Sequence, residues 1–251
     1  MIKMLVSARK KPEMSDREYS DHWGINHGDL VRRYGQDMGF RRYIQTHLLP
    51  MELPSALVGT EGPDIYKNGQ AELWWDSIEA MLGAGATARG QAASKLFEDD
   101  EKRFCDVANL SAFLAEESVL LDLDPPSRFG ASDIKLVVEL WRKDGAPTYR
   151  DWLCDHVPPV WDDADGPLLT RYIVNCPVDD DRFDFARARG WKPAPDGAIE
   201  MWFPDAKALT AALSAQAGHR WKAEVGKFAD TTRLRPLIGV PHYIFDAVQP
   251  G

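Results

Sequence analysis

The amino-acid sequence predicts an α+β fold made of two divergent copies of one β-α-β-β-α-β unit, and three observations carry that expectation. Trp23-x-x-x-His27 recurs as Trp152-x-x-x-His156, and Arg42-Tyr43-Ile44 recurs as Arg171-Tyr172-Ile173, both at a shift of 129 (152 minus 23, 171 minus 42). Gly69, Glu72 and Trp74 recur as Gly197, Glu200 and Trp202 at a shift of 128 (197 minus 69). Toward the ends of the copies, Ile2-Lys3 returns as Ile134-Lys135, and Phe104-Cys105-Asp106 pairs with Phe228-Ala229-Asp230. Ordered matches at a near-constant offset mark internal duplication. The first repeat is therefore placed at 1–122 and the second at 133–251. A Pro-rich linker at 123–132 joins them, opening with Leu123-Asp124-Pro125-Pro126-Ser127.

Each element has a local reason. Ile2 to Ala8 is a short strand-like run, matched by Ile134 to Trp141. Ser15-Asp16-Arg17-Glu18 has the form of a capping box that opens a helix. That helix puts Tyr19, Trp23 and His27 at i, i+4 and i+8, on one face. Phe40 to His47 alternates and is rich in β formers, and Gln70 to Trp75 is a third strand followed by a helical stretch. Ser111 to Leu121 and Leu237 to Val248 close the copies. The order β-α-β-β-α-β is that of the ferredoxin-like split unit. Leu48 to Asn68 and Pro177 to Asp196 interrupt it as long Pro/Gly-rich loops, a length more typical of lids than of tight hairpins.

Strand alternation then sorts side chains by surface. The expected grouping sets Tyr43, Gln45, His47, Glu72 and Trp74 on one face, with the small apolar pair Ala71 and Leu73 beneath helices. Lys3 and Glu72 are expected to pair across neighbouring strands, with Lys135 and Glu200 repeating the pair. An open face of this kind needs a cover, and the other copy is the obvious one.

On these residues the sequence resembles the EthD-domain proteins of the dimeric α+β barrel superfamily. The resemblance rests on Ile2-Lys3, Tyr19-x3-Trp23-x3-His27, Arg42-Tyr43-Ile44-Gln45-Thr46-His47, Ala71-Glu72-Leu73-Trp74-Trp75 and Asp100-Glu101-Lys102-Arg103-Phe104, and it spans nearly the whole chain, once per copy. It implies an intrachain pseudo-dimeric barrel, with cavities between sheet and helices or inside the barrel. The superfamily includes cofactor-independent monooxygenases, polyketide cyclases, muconolactone-type isomerases and haem enzymes, so the fold alone does not set the reaction.

Composition narrows the classes. The chain has 251 residues, and 30 Lys+Arg against 39 Asp+Glu give a net charge of −9, which disfavours a nucleic-acid partner. No apolar run nears the ~20 residues that span a membrane. Cys105, Cys154 and Cys176 are odd in number and without C-x-x-C spacing, which points to a cytoplasmic protein, as does a beginning without signal-peptide pattern. No H-E-x-x-H and no G-x-S-x-G occurs, and His22 and His27, five apart, do not share a face of an α-helix. No metal and no cofactor is assigned.

The expected chemistry is proton transfer. His47 is the expected general base, because imidazole exchanges protons near neutral pH. Tyr43, Gln45 and Glu72 are the expected orienting or acid groups, with His27 a further catalytic candidate whose alternative reading is a core histidine. Tyr19, Trp23, Trp74, His156, Tyr172, Glu200 and Trp202 are the expected substrate-binding residues. Copy two replaces Gln45 by Val174 and His47 by Cys176, so the active pocket is assigned to the first repeat. The function expected is a cofactor-independent catabolic lyase or isomerase acting on a small, largely apolar or aromatic carbonyl compound. The alternatives are a non-catalytic small-molecule binding protein and a cofactor-free monooxygenase or haem-binding relative. The chain is expected to be a pseudo-dimer in itself, with a further homodimer open.

Overall fold

Strands with one polar and one apolar edge need two different surroundings, and closing the sheet into a barrel supplies both. The computed structural model describes residues 1–58, 67–123, 133–156, 158–159, 161–163, 166–178, 189–214 and 216–247. Most of the expected linker, 124–132, lies outside the described residues. In chain order the strands are β1 (Ile2–Ala8), β2 (Arg42–Leu48), β3 (Gly69–Trp75), β4 (Ser111–Asp122), β5 (Ile134–Leu140), β6 (Asp162–Asp163), β7 (Gly166–Pro167), β8 (Arg171–Pro177), β9 (Gly197–Phe203) and β10 (Arg235–Asp246). Eight of them close a barrel in the order β1-β3-β2-β10-β5-β9-β8-β4, while β6 and β7 pair separately. Every barrel pairing is antiparallel. The halves join edge to edge, β2 on β10 and β4 on β8, so the barrel itself has no open edge. The long strands β4 and β10 each carry a register shift, between Val119 and Leu121 and between Tyr243 and Phe245. Irregularities of this kind bend a strand and help a barrel close.

Register corrects the expected grouping of faces. Ile44 stands opposite Glu72, and Tyr43 opposite Leu73. Residues directly opposite each other project to the same side of a sheet. Tyr43, Gln45 and His47 therefore share the outer face with Ala71, Leu73 and Trp75, whereas Glu72 and Trp74 turn into the lumen. A phase of one residue in β3 is enough to make the difference.

The lumen is where the expected Lys–Glu pairs go. Lys3 Nζ lies 2.9 Å from Glu72 and 3.0 Å from Glu117, and it also contacts Glu200. Lys135 Nζ lies 2.7 Å from Glu200 and contacts Glu72. Each lysine thus binds the carboxylates of both halves, beyond the within-repeat pairing expected. Burial alone would push the Lys3 ammonium down, but Glu200, Glu72 and Glu117 hold it above its ordinary value. Burial alone would raise the Glu200 carboxyl, and Lys135 and Lys3 hold it well below. Trp74 and Trp202 lie under Lys3 and Lys135, each 4.8 Å from the ring centroid. Leu5, Phe113, Ala115, Val137, Ala198 and Leu237 form an apolar cluster in the lumen, and beyond it Lys67 lies 3.1 Å from Glu139 and donates to Gln70 at 2.7 Å.

Helices coat the outside. They are α1 (Asp16–Asp21), α2 (Gly28–Tyr34), α3 (Ile78–Ala86), α4 (Ala88–Phe104), α5 (Tyr149–Asp155), α6 (Ala206–Ser214) and α7 (Gln216–Val225). The capping box at Ser15 is complete, with Ser15 and Glu18 each bonding the other's backbone. The single helix expected through His27 is broken by a π-helical turn, His22–His27, between α1 and α2. Gly69 and Gly197 open β3 and β9 because aromatic rings lie on their backbone: a Cβ there would come within 2.3 Å of Trp23 and 2.4 Å of Tyr149. Two outer cores result, one under α1–α4 and one under α5–α7. The connecting loops cross between them. Leu57, on a 3₁₀ turn of the first half (Ser55–Leu57), is buried in the second core, and Trp191 of the second half packs on the first.

Candidate functional site

Between the outer face of β1, β2 and β3 and the helices α2, α3 and α4 lies a cavity of about 520 Å³. This is within the range of small-molecule sites, roughly 300–1,000 Å³. Its walls are mainly apolar and aromatic: Trp23, Phe40, Tyr43, Trp75, Phe97 and Phe104 among them. His27, Tyr43, Glu101 and Cys105 are the polar groups set into this lining, and Ser94, Lys95, Glu98 and Arg189 are more. The second half contributes to the site, since Arg189 and Trp191 lie along it. That strap is pinned by Arg189 Nη2 donating to Glu98 at 2.6 Å and by the Lys192 N–H donating to Leu110 at 2.7 Å.

The π-turn positions the site's histidine. His27 is buried and its Nδ1 lies 3.0 Å from Asp100 Oδ2. A carboxylate accepts, so Nδ1–H donates and the lone pair of the neutral ring is on Nε2. Among the described residues Nε2 makes no hydrogen bond, and the ring lines the cavity. His22 Nε2 reaches the other oxygen, Asp100 Oδ1, also at 3.0 Å. Burial works against the Asp100 charge, but the hydrogen bonds from His27 and His22 outweigh it and hold this carboxyl below its ordinary value. Next to it on α4, burial pushes the Glu101 carboxyl up. Burial also pushes the Tyr43 phenol up, leaving it a donor. A histidine whose Nε2 is unbonded among the described residues, a carboxyl pushed up by burial and a phenol thus share one apolar cavity.

His47 lies elsewhere. It is not part of the cavity lining, and both its nitrogens are engaged: Nδ1 with Ser20 Oγ at 2.6 Å, Nε2 with Gln45 Oε1 at 3.0 Å. Gln45 in turn donates to the Trp23 carbonyl at 3.0 Å, which turns its oxygen toward His47. The ring stacks on Trp23 at 4.5 Å. Burial, with His242 beside it, pushes His47 down to about 3. No lone pair remains for a substrate, so the expected base at His47, and Gln45 with it, belongs to the packing of α1 on β2.

Of the other expected site residues, Tyr43 and Trp23 line the cavity. Tyr19 is buried against Trp23 and Phe104, its hydroxyl without a partner among the described residues. Glu72, Trp74, Glu200 and Trp202 face the lumen and touch the lysines there, away from this cavity. His156 and Tyr172 lie in the second core, where His156 Nε2 and the Tyr172 hydroxyl are 2.7 Å apart. Asp100 and Glu101 were missed as site residues. Their signal was helical period: Phe97, Asp100, Glu101 and Phe104 fall at i, i+3, i+4 and i+7, one face of α4.

An eight-stranded antiparallel barrel coated with helices, with its cavity between sheet and helix, is the architecture of the dimeric α+β barrel proteins. Residues 11–108 and 146–232 match the EthD domain model, and the chain belongs to the EthD family. An anthrone oxidase-like protein aligns at TM-score 0.53 and 9% identity, over 100% of this chain and 95% of that one. A candidate monooxygenase from Fusobacterium nucleatum subsp. nucleatum aligns at TM-score 0.50 and 9% identity, over 97% and 92%. An EthD family protein from Bacillus halodurans C-125 aligns at 20% identity and TM-score 0.31, over 47% of this chain and all of its own. No curated protein matches the sequence. No described helix is long and apolar enough to cross a membrane.

Proposed function

We propose that the first-half cavity is an active site for proton transfer on a small, largely apolar or aromatic carbonyl compound, in a lyase or isomerase type of reaction. The observation that carries this reading is His27, oriented by Asp100 through Nδ1 and left with its Nε2 lone pair in an aromatic cavity. In the reaction, Nε2 takes a proton from the carbon next to the carbonyl, and the C–H electron pair becomes an enolate. Glu101 or Tyr43 donates to the enolate oxygen. Return of the proton to another carbon gives isomerisation, and expulsion of a leaving group gives elimination. Each step needs only these side chains and a cavity that keeps water away.

The test is deuterium exchange at the enolisable carbon of 2-tetralone in D₂O, followed by NMR. The protein is expected to accelerate exchange, and His27→Ala to lower the rate by roughly 100-fold. Exchange no faster with the protein than with His27→Ala overturns the base. Binding of the ketone without exchange would point instead to a carrier of such molecules. We also read the halves as ferredoxin-like repeats at 1–122 and 133–251, a fused pseudo-dimer.

A further inference from the structure

Two histidines five residues apart meet on one carboxylate. In an α-helix residues five apart lie about 140° from each other, and they could not share Asp100. The π-helical turn His22–His27 stacks them instead, because its hydrogen bonds run from i to i+5. The result is symmetrical about the carboxylate: His22 Nε2 to Oδ1 at 3.0 Å, His27 Nδ1 to Oδ2 at 3.0 Å. The environments are not symmetrical. His27 is buried on the cavity side, whereas the His22 side chain is 21% exposed. The His22 ring is itself fixed, stacked on Phe104 at 4.9 Å and 28°. Arg103 is also near Asp100, its Nη1 3.9 Å from Oδ1 on a largely exposed side chain.

We infer that His22 is a positioning residue: by holding Asp100 Oδ1 it aims Oδ2 at His27 Nδ1 and so keeps the His27 lone pair on the cavity side. The inference rests on the reading of His27 as the base. Without His22, Oδ1 loses its short partner, Arg103 competes for the carboxylate, and Asp100 turns from His27. Nothing then sets which ring nitrogen of His27 carries the proton, and a ring with the proton on Nε2 cannot act as base in the cavity.

The experiment reads the His27 ring directly. In the full ¹⁵N-labelled chain, long-range ¹H–¹⁵N correlations distinguish a protonated Nδ1 from a protonated Nε2. The wild type is expected to show His27 with the proton on Nδ1. His22→Gln, which keeps an N–H for Oδ1, retains that pattern, and His22→Phe loses it. In the 2-tetralone exchange assay His22→Phe lowers kcat by roughly 10- to 100-fold at unchanged KM, and His22→Gln restores most of it. An unchanged ring pattern and rate in His22→Phe overturns the inference, as does His22→Gln falling as far as His22→Phe. If His22→Phe does not fold, the wild type decides, since His27 protonated on Nε2 alone is incompatible with it. The ring pattern needs no turnover. A failure of His27 as base would appear as unchanged exchange in His27→Ala, with the effect of His22 on the ring still readable.

Discussion

Both halves carry a histidine after the first helix of each half, yet their surroundings differ. In the first half His27 bonds an aspartate and faces a cavity. In the second, His156 Nε2 is met by the Tyr172 hydroxyl at 2.7 Å, and that hydroxyl also accepts from Trp221 Nε1 at 3.2 Å. Counting back from Phe104 and Phe228, Trp221 replaces Phe97, Glu224 replaces Asp100 and Val225 replaces Glu101. The larger indole occupies its place in the core and closes the hydrogen-bond circuit. Backbone differs as well. Where Asp29 lets the chain continue from the π-turn into α2, Pro158 and Pro159 follow His156, and α5 stops at Asp155. The second half has thus kept its histidine and tyrosine and joined them to each other, with Trp221 on the same hydroxyl. Retention of a residue type says little about a site unless the space beside it is retained too.

The largest expected effect falls on what the halves share. Glu200→Gln leaves Lys3 and Lys135 short of a buried carboxylate and should cost about 3–5 kcal/mol in urea unfolding. Glu72→Gln, its partner in the first half, should cost a similar amount. A loss below about 1 kcal/mol for either would break the picture of a network common to both halves. Next come the core exchanges. Phe97→Trp should fill the first cavity and abolish 2-tetralone binding with little loss of stability. Trp221→Phe should cost about 1–3 kcal/mol, since it opens space and removes a donor from Tyr172. Unchanged binding in Phe97→Trp would show that bulk is not what separates the halves.

The smallest effect is in pH dependence. Burial pushes His156 down to about 4 in the folded chain, against about 6.5 for an unperturbed histidine. As pH falls, the unfolded chain takes up this proton first. The stability linked to His156 is therefore full above about pH 6.5 and is lost as pH falls from there toward 4. His156→Gln should flatten the decline of stability across that window. An unaltered slope would mean that His156 is as accessible to protons as an unfolded histidine.

Much of the fold was legible because duplication repeats its own signals. The recurring Ile-Lys, Arg-Tyr-Ile and Gly…Glu-x-Trp patterns placed β1, β2, β3, β5, β8 and β9, and Ser15 and Glu18 placed the start of α1. The family resemblance was correct as well. The site was legible only in part. Tyr43, Trp23 and His27 came together, but Glu72 was grouped with them because strand pairing register is not written in either strand alone. His47 looked like a base because a chain reads as residue types, and the Ser20 and Gln45 partners that occupy its nitrogens come from tertiary placement. Asp100 and Glu101 entered only as part of the Asp100-Glu101-Lys102-Arg103-Phe104 family motif, since nothing local says that His22 and His27 will be brought over Asp100. The π-turn is the hidden step: it changes helical phase without a Pro or Gly rule to announce it.

The lumen contacts also set a timetable for the nascent chain. Lys3 is synthesised 197 positions before its partner Glu200. Until β9 has emerged, the inner face of β1 and β3 waits with charges assembled for a counterpart that does not yet exist. Closure with such long sequence separation is slow, because loop entropy is spent before the contacts form. Half of the charges of the lumen thus leave the ribosome well before the strands that close the barrel around them.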